Sequence, residues 1–410
     1  MVLGVSGGIA AYKASELLRL LTESGHDVTV VPTQAALQFV GQATWEALSG
    51  KPVAHDVWSN VPAVQHVRLG QQADLVVVAP TTADLMAKLA HGRADDLLTA
   101  TLLTATCPVV LAPAMHTEMW QHPATVANVA TLRERGVRVL DPASGRLTGV
   151  DTGPGRLPEA AALFGVCQAI LAAGSRSGRD LVGKRILISG GGTREPLDPV
   201  RYLGNRSSGR QAWALAATAV ARGADVTLVA ANVDLPDPAG VNVHRVSSSH
   251  ELDEQMTAEL NNADVVVMAA AVADFEPTNV ADQKIKKTDD GSSPSLQLQR
   301  TPDVLSNLGS LRTGAAPLLV GFAAETVAAD DDPRGRLIEL AQGKARRKGA
   351  DFIVGNSVDA GHGFESSDNA VVIVTPDAVV AEVPLASKEA ISHELWDVVV
   401  TALSKRSDPN

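Results

Sequence analysis

Residues Ile186 to Gly209 read ILISGGGTREPLDPVRYLGNRSSG, and the strand–helix pattern of the second half of the chain starts here. Apolar residues lead into Gly190-Gly191-Gly192, and a later turn of small residues, Asn205–Gly209, opens a helical pattern. Glycine has no Cβ, so two such loops at strand ends can bring many backbone amides to one anionic ligand. The stretch therefore predicts a nucleotide site.

The glycine run differs from the ordinary dinucleotide fingerprint. Gly190-Gly191-Gly192 has no third glycine at the G-x-G-x-x-G spacing, and no acidic residue follows in the usual later place. An NAD(P)-dependent oxidoreductase with a flavodoxin domain is one alternative for the chain, and it would need that fingerprint.

Composition limits the class of protein. The chain has 410 residues, more than one hydrophobic core usually supports, which predicts two domains. The formal net charge of −11 argues against nucleic acid or a membrane surface as the main partner, because both select a basic face. No apolar run approaches the roughly 20 residues that cross a bilayer. Two cysteines, Cys107 and Cys167, make no disulfide framework, which favours the cytoplasm.

Apolar strands alternate with helical patterns through residues 1–173. Strands that are apolar throughout are typical of a parallel sheet covered on both faces, so we expect an α/β, flavodoxin-like, doubly wound domain. The predicted strands are Val2–Val5, Asp27–Pro32, Leu75–Ala79 and Val109–Ala112, and the predicted helices include Ala10–Glu23 and Glu159–Ala172.

A short stretch of small and charged residues, 174–182, predicts a linker, and the alternation then restarts through residues 183–410. This second half is expected to be Rossmann-like α/β with an added β-hairpin, Ala370–Thr375 and Ala381–Pro384, and residues 282–299 form an excursion. The other predicted strands are Arg185–Ser189, Asp225–Ala230, Val265–Ala269, Leu318–Phe322 and Phe352–Val354, and the helices are Gly209–Arg222, Arg336–Lys348 and Lys388–Ser404.

Several motifs occur together and in order in the first half. They are VSGGIAAYK from Val5, Gln65–Leu69, APTTADLMAKLAHGRADDLL from Ala79, APAMHTEMW from Ala112 and Thr152–Arg156. This combination resembles the flavin-dependent cysteine decarboxylases. The whole chain resembles the family of bifunctional phosphopantothenoylcysteine decarboxylase/phosphopantothenate–cysteine ligases of coenzyme A synthesis.

The resemblance implies FMN in the first half, because loss of CO2 from the cysteine moiety needs an electron sink that the substrate lacks. In the family, FMN accepts a hydride from the thiol-bearing carbon. His66 matches the catalytic histidine, although a histidine at a helix start can also be purely structural. The implied FMN-binding residues are Gly7, Gly8, Ile9, Thr33, Thr82 and Met115.

Two positions depart from the family pattern. His116 stands where the family has an asparagine thought to engage the substrate carboxylate, and Thr148 stands at the clamp-loop cysteine thought to return a proton. A threonine hydroxyl is a poor proton donor. We therefore expect His116 to bind the carboxylate, as a catalytic residue, and a water or another acid to replace the cysteine.

In the second half the resemblance implies a CTP-dependent ligase that activates 4′-phosphopantothenate as an acyl-cytidylate, which cysteine then attacks. Asn205 and Lys284 match catalytic residues, and Mg²⁺ is expected to bind through the CTP phosphates, with no protein ligands assigned. The positions that match CTP-binding residues are Gly191, Ser207, Ser208, Ala270, Asp274, Lys284, Pro302, Asp303, Val304, Leu305, Phe322, Lys344 and Lys348.

Simpler interpretations exist for single motifs. Lys284–Lys287 alone would be a solvated charge run, Lys344 and Lys348 could complement a helix C-terminus, and Asn205 could be only a helix cap. A non-enzymatic flavin-binding subunit is a further alternative, which loss of His66 and the lysines would favour. The family also implies homo-oligomers: decarboxylase trimers and ligase dimers, assembled as a dodecamer.

Overall fold

The computed structural model describes residues 1–53, 64–146, 152–174, 178–286, 295–327, 332–358 and 368–407. The chain divides into two compact units. The first is Met1–Arg179 with Pro236–Gly240, and the second is Asp180–Leu235 with Val241–Asn410. None of the helices in the described ranges has the length and apolar character needed to span a bilayer.

The first unit is built on a five-stranded parallel sheet in the order β2-β1-β3-β4-β5. Its strands are β1 Val2–Val5, β2 Thr29–Pro32, β3 Val76–Thr81, β4 Val109–Pro113 and β5 Arg138–Val139. This is the flavodoxin-like order, in which the chain reverses its direction of winding between β1 and β3. The predicted doubly wound domain is confirmed, with β2 starting at Thr29 rather than Asp27.

Helices cover the first sheet, and several begin at side chains suited to capping. Thr82 accepts the Leu85 amide at the start of α4, and Asp96 and Thr99 form a capping box at α5. The helices are α1 Ala11–Glu23, α2 Gln42–Ser49, α3 Gln65–Gln72, α4 Ala83–Ala90, α5 Leu97–Thr104, α6 Thr117–Trp120, α7 Pro123–Glu134 and α8 Ala160–Ala173. An antiparallel pair, β6 Ala143–Arg146 and β7 Thr152–Arg156, precedes α8.

The second unit contains an eight-stranded sheet in the order β12-β11-β8-β13-β16-β17-β18-β19. Its strands are β8 Arg185–Gly191, β11 Asp225–Ala231, β12 Val241–Val246, β13 Val265–Met268, β16 Leu318–Glu325, β17 Phe352–Ser357, β18 Asp368–Val374 and β19 Val379–Ser387. The first six are parallel in the Rossmann order 3-2-1-4-5-6, and β18 and β19 join as an antiparallel hairpin. The Rossmann-like expectation is confirmed.

Two short antiparallel pairs of this unit were not predicted from the sequence, and neither was the β6–β7 pair of the first unit. One joins β9 Arg194–Pro196 to β10 Tyr202–Gly204, and the other joins β14 Phe275–Pro277 to β15 Leu298–Arg300. The second pair encloses most of the predicted excursion 282–299, whose last residues belong to β15.

The helices of the second unit are α9 Arg210–Ala221, α10 Ser249–Glu259, α11 Val304–Leu311, α12 Pro333–Lys348 and α13 Lys388–Ser407. α12 begins at Pro333, earlier than the predicted Arg336, because Asp332 accepts the Gly335 amide at 2.9 Å and proline suits the first helical position.

Candidate functional site

The loop after β1 forms the centre of the candidate flavin site. The buried Ser6 hydroxyl donates to the Pro80 carbonyl at 2.8 Å and accepts the Thr82 amide at 2.9 Å, so the loops after β1 and β3 are tied together. Both loops lie at the carboxyl edge of the sheet, at the point where the strand order reverses. Ligands of open α/β sheets bind at such a point.

The glycines of the loop after β1 allow a neighbouring loop to approach its backbone closely. A Cβ added to Gly7 would come 2.4 Å from the Ala35 Cβ, so the loops after β1 and β2 touch through a position without a side chain. Thr33 continues this contact, because its amide donates to the Val5 carbonyl at 2.9 Å. The amides of Gly7, Gly8 and Ile9, which precede α1, donate no hydrogen bond to any residue in the described ranges. Unpaired amides before a helix fit a phosphate such as that of FMN.

The loop after β4 adds Met115 and His116. The Met115 amide donates to the Gly155 carbonyl at 3.0 Å, and the Thr117 hydroxyl donates to the Pro154 carbonyl at 2.9 Å, which holds β7 against this loop. The Ala114 amide donates to the Thr81 carbonyl at 3.1 Å, so the loop also joins the one after β3. His116 is the N-cap residue of α6 and is exposed. Thr148 lies outside the described residues.

His66 lies on α3, half-buried, and its carbonyl accepts the Thr104 hydroxyl at 2.9 Å. A Cβ on Gly70 would come 2.7 Å from the Thr104 carbonyl carbon, so α3 and α5 pack closely. In the part of the chain that the structure describes, no hydrogen bond joins the His66 imidazole to the loops after β1, β3 or β4. The structure thus fixes the backbone of His66 but does not tie its side chain to the other predicted residues of this unit.

The second candidate site lies where β8 ends, between β11 and β13. Gly191 has a φ of +86°, and a Cβ there would come 2.0 Å from the Ala231 carbonyl oxygen. The Gly191 carbonyl accepts the Ala271 amide at 2.8 Å, and the Thr193 amide donates to the Ala271 carbonyl at 3.2 Å. The Ala270 amide donates to the Ser189 hydroxyl at 3.2 Å. The loops after β8 and β13 therefore form one surface at the switch point of the Rossmann order.

Asn205 joins the same surface. Its side-chain amide donates to the Val272 carbonyl at 2.9 Å, and a Cβ on Gly192 would come 2.8 Å from the Asn205 carbonyl. The interpretation of Asn205 as a helix cap is wrong, because Gly209 with a φ of +74° is the N-cap of α9. Ser207 and Ser208 lie between Asn205 and that cap, and the Ser207 hydroxyl accepts the Gly209 amide at 3.4 Å.

The lysines of α12 meet strand β16 and the loop after β15. The Lys344 ammonium donates to the Phe322 carbonyl at 3.0 Å, and Lys348 forms an ion pair with Asp303. Asp303 also accepts the Ser306 amide at 3.2 Å and so caps α11, which follows Pro302 and carries Val304 and Leu305 in the core. The interpretation that both lysines only complement the end of α12 is wrong, since Lys344 reaches the backbone of β16 and Lys348 reaches the N-cap residue of α11.

Burial governs the protonation of these lysines. It lowers the pKa of Lys344, and the negative charges of Glu325 and Asp274 oppose that change. Burial also lowers the pKa of Lys348, and the negative charge of Asp274 again opposes the change. The structure therefore brings together Asp274, Asp303, Phe322 and both lysines in a partly dehydrated, charged cluster. A dehydrated cation interacts more strongly with a phosphate than one in open water.

Lys284 is exposed, and the next residue, Ile285, is bound through its backbone to Asp198 and Arg201.

Three polar residues near the second site, Ser189, Thr193 and Asp198, have no role predicted from the sequence. Ser189 and Thr193 flank the glycine run, and each hydroxyl fixes an amide of the loop after β13, at Ala270 and Ala273. Ser189 and Thr193 could have been predicted from the sequence, because their hydroxyl side chains stand directly before and after the three glycines.

Two family models match the chain. The model described as the DNA/pantothenate metabolism flavoprotein C-terminal domain matches residues 181–403, and the model described as flavoprotein matches residues 1–171. The chain is 54% identical to the coenzyme A biosynthesis bifunctional protein CoaBC of Mycobacterium bovis, over 98% of this chain and 97% of that one. It is 52% identical to CoaBC of Mycolicibacterium smegmatis, over 99% and 98%.

Among solved structures, a crystal structure of the C-terminal domain of a CoaBC protein is 35% identical with a TM-score of 0.46. The match covers 56% of this chain and 100% of that one.

Proposed function

Because the chain belongs to the CoaBC family of bifunctional coenzyme A biosynthesis enzymes, with a decarboxylase and a ligase domain, we propose the following division. Residues 1–173 decarboxylate phosphopantothenoylcysteine to 4′-phosphopantetheine with FMN. Residues 183–410 first make that intermediate from 4′-phosphopantothenate, cysteine and CTP. Residues 174–182 link the two.

One observation supports both sites. In each unit the glycine loop that follows the first strand lies at the carboxyl edge of the sheet, between the two strands where the order reverses. These strands are β1 and β3 in the first unit and β8 and β13 in the second. Such an edge accepts phosphate-bearing ligands. A chain with two of them suits two phosphate-bearing ligands.

In the first unit, the amides of Gly7, Gly8 and Ile9 would hold the FMN phosphate, and Thr33, Thr82 and Met115 would line the site. When bound, FMN supplies a hydride acceptor and donor. His66 handles a proton at the substrate thiol or carboxylate. His116, exposed at the start of α6, binds the substrate carboxylate. A water or another acid takes the role of the cysteine that Thr148 replaces.

In the second unit, the loops at Gly191 and Ser207–Ser208 would receive the phosphates of CTP, together with Mg²⁺ bound through those phosphates. Lys344 and Lys348 add positive charge to the nucleotide site. Lys348 exchanges its partner Asp303 for the nucleotide in this proposal. Asn205 and Lys284 stabilise the charge that develops as the acyl-cytidylate forms and is attacked.

We further propose that the enzyme assembles as decarboxylase trimers and ligase dimers, as a dodecamer in the cytoplasm. Support for the dimers comes from exposed apolar side chains on the neighbouring pairs β9–β10 and β14–β15, since grouped apolar residues often mark an interface. They are Val200, Tyr202, Phe275, Val280, Leu296 and Leu298. The cysteines Cys107 and Cys167 are free thiols, in keeping with a reducing compartment.

The test is to incubate the purified protein with phosphopantothenate, cysteine and each nucleotide in turn, and to follow flavin absorbance, CMP and CO2. Lys284→Ala is expected to lose CMP formation and to keep CO2 release from supplied phosphopantothenoylcysteine. His66→Asn is expected to show the reverse. In each variant, the activity that is retained shows that the unsubstituted unit is folded. A colourless protein that cannot be reconstituted with FMN, or CMP formation that survives Lys284→Ala, contradicts the proposal.

A further inference from the structure

Asp198 is a buried carboxylate in a surface turn. It lies between β9 and β10, in a turn closed by the Leu197 amide, which donates to the Arg201 carbonyl at 2.8 Å. Its side chain is 0% exposed. A buried carboxylate is unfavourable unless its oxygens are fully hydrogen-bonded, so its partners indicate what it does.

The two oxygens of Asp198 have different partners. Oδ1 accepts the amides of Val200 and Arg201, each at 2.8 Å, and so closes its own turn. Oδ2 accepts Nε and Nη2 of Arg201 at 3.0 and 2.6 Å, and it also accepts the Ile285 amide at 3.1 Å. The second oxygen thus reaches a segment that is far away in the sequence.

Ile285 is held on both sides of its backbone. Its amide donates to Asp198, and its carbonyl accepts Arg201 Nη2 at 2.7 Å. The Ala281 amide donates to the Leu197 carbonyl of the same turn at 3.0 Å. Lys284 therefore lies between two points, Ala281 and Ile285, that are fixed to one turn. The bond from Asp198 also sets the plane of the peptide group that joins Lys284 to Ile285.

The charge of this turn is stable near neutral pH. The Arg201 guanidinium holds the pKa of the Asp198 carboxyl well below its usual range, and the amides of Val200 and Ile285 act in the same direction. The carboxylate consequently remains an acceptor throughout the pH range in which the enzyme would work.

We propose that Asp198 is a positioning residue for the ligase reaction, which through the Ile285 amide and Arg201 directs Lys284 towards the nucleotide. The inference rests on the role proposed above for Lys284. Asp198 itself touches neither substrate nor nucleotide in this proposal.

The test uses Asp198→Asn in the full-length enzyme. An asparagine can keep its oxygen on the amides of Val200 and Arg201, but its NH2 group cannot accept the Ile285 amide. The substitution therefore preserves the turn and breaks the bond to the Lys284 segment. We expect the kcat of CTP-dependent pyrophosphate release to fall about 10- to 100-fold, the cost of misplacing a reacting group by about 1 Å. The KM for CTP should stay near its wild-type value.

Two further measurements separate positioning from loss of structure. Hydrogen–deuterium exchange of peptides containing Ile285 should speed up, while decarboxylation of supplied phosphopantothenoylcysteine stays unchanged. Asp264→Asn is the matched control, because Asp264 also accepts a backbone amide, that of Arg185 at 2.7 Å, at the opposite edge of the sheet. It should leave pyrophosphate release at the wild-type rate.

The outcomes are distinguishable. If Lys284→Ala abolishes pyrophosphate release but Asp198→Asn releases it at the wild-type rate, the positioning role is overturned and the role of Lys284 stands. The positioning role is also overturned if Asp264→Asn lowers the rate as much as Asp198→Asn does. If Lys284→Ala keeps the wild-type rate, the proposed function is wrong at that residue and the positioning role falls with it.

Discussion

Gly191→Ala tests whether the close approach of backbone at the end of β8 is required by the ligase site. The new Cβ would lie 2.0 Å from the Ala231 carbonyl oxygen and 2.4 Å from Val233 Cγ2, and the residue would have to keep a φ of +86°. A left-handed conformation costs an ordinary residue about 1–2 kcal/mol, and overpacking costs about 1–3 kcal/mol. The expected loss of unfolding free energy is therefore about 2–5 kcal/mol.

The readout is thermal unfolding together with pyrophosphate release. In a domain of this size each kcal/mol lowers the Tm by about 2–4 °C, so the Tm of the second unit should fall by about 4–20 °C. CTP-dependent pyrophosphate release should be lost, because β8 must move away from Ala231 and take the glycine loop with it. Decarboxylation and flavin absorbance belong to the first unit and should be unaffected.

Gly183→Ala is the matched control for backbone strain alone. Gly183 has a φ of +74° in the same unit, but an added Cβ would have no atom within 4 Å. It should lose about 1–2 kcal/mol and keep pyrophosphate release. The reasoning is refuted if Gly191→Ala and Gly183→Ala unfold at the same temperature and both release pyrophosphate.

Gly7→Ala should weaken FMN binding, since the new Cβ would lie 2.4 Å from the Ala35 Cβ. Gly41→Ala is the control and should retain FMN, because no atom lies within 4 Å of the new Cβ. The flavin absorbance of the purified variants is the measurement. Burial lowers the pKa of Lys344, so its ammonium loses a proton at a lower pH than that of an exposed lysine. The KM for CTP should therefore rise as the pH increases through that lowered pKa, and Lys344→Gln should raise the KM at neutral pH and remove the alkaline rise. An unchanged pH profile in Lys344→Gln would contradict this.

The parallel sheets could be predicted because their strands carry the signal locally. Buried strands such as Val76–Thr81 and Val265–Met268 are apolar at nearly every position, which a parallel sheet with helices on both faces requires. The alternation with helices then restricts the topology, since crossovers between parallel strands are right-handed and short. The final hairpin followed from its two separated apolar runs.

The short pairs β9–β10 and β14–β15 could not be predicted in the same way. Each strand has three residues, too few to establish a period of two, and both pairs carry exposed side chains. Their pairing depends on contacts with distant parts of the chain. One such contact is the Ser249 amide, which donates at 3.0 Å to the buried Glu195 of β9.

The same distinction holds for the sites. Glycine loops at strand ends are visible in the sequence because only glycine suits such backbone positions, as Gly191 illustrates. The bond between Asp198 and Ile285 is invisible, because these residues are 87 positions apart and an Asp-Pro pair ordinarily indicates no more than a turn. The roles assigned to individual site residues remain predictions, which the variants above test.

The acidic composition of the chain is compatible with two phosphate-bearing ligands because the positive charge at the ligase site is local and already partnered. Lys348 keeps 23% of its side chain exposed and is held by Asp303, so much of its dehydration is complete before any nucleotide arrives. Exchanging the carboxylate for a phosphate then removes little further water from the Lys348 ammonium. A fully solvated lysine would instead lose its water on binding, with the full free-energy cost of dehydration. Asp303 contributes to the net charge of −11, yet in the proposed exchange this carboxylate would keep Lys348 oriented until the nucleotide replaced it. A protein can therefore be acidic overall and still bind a triphosphate.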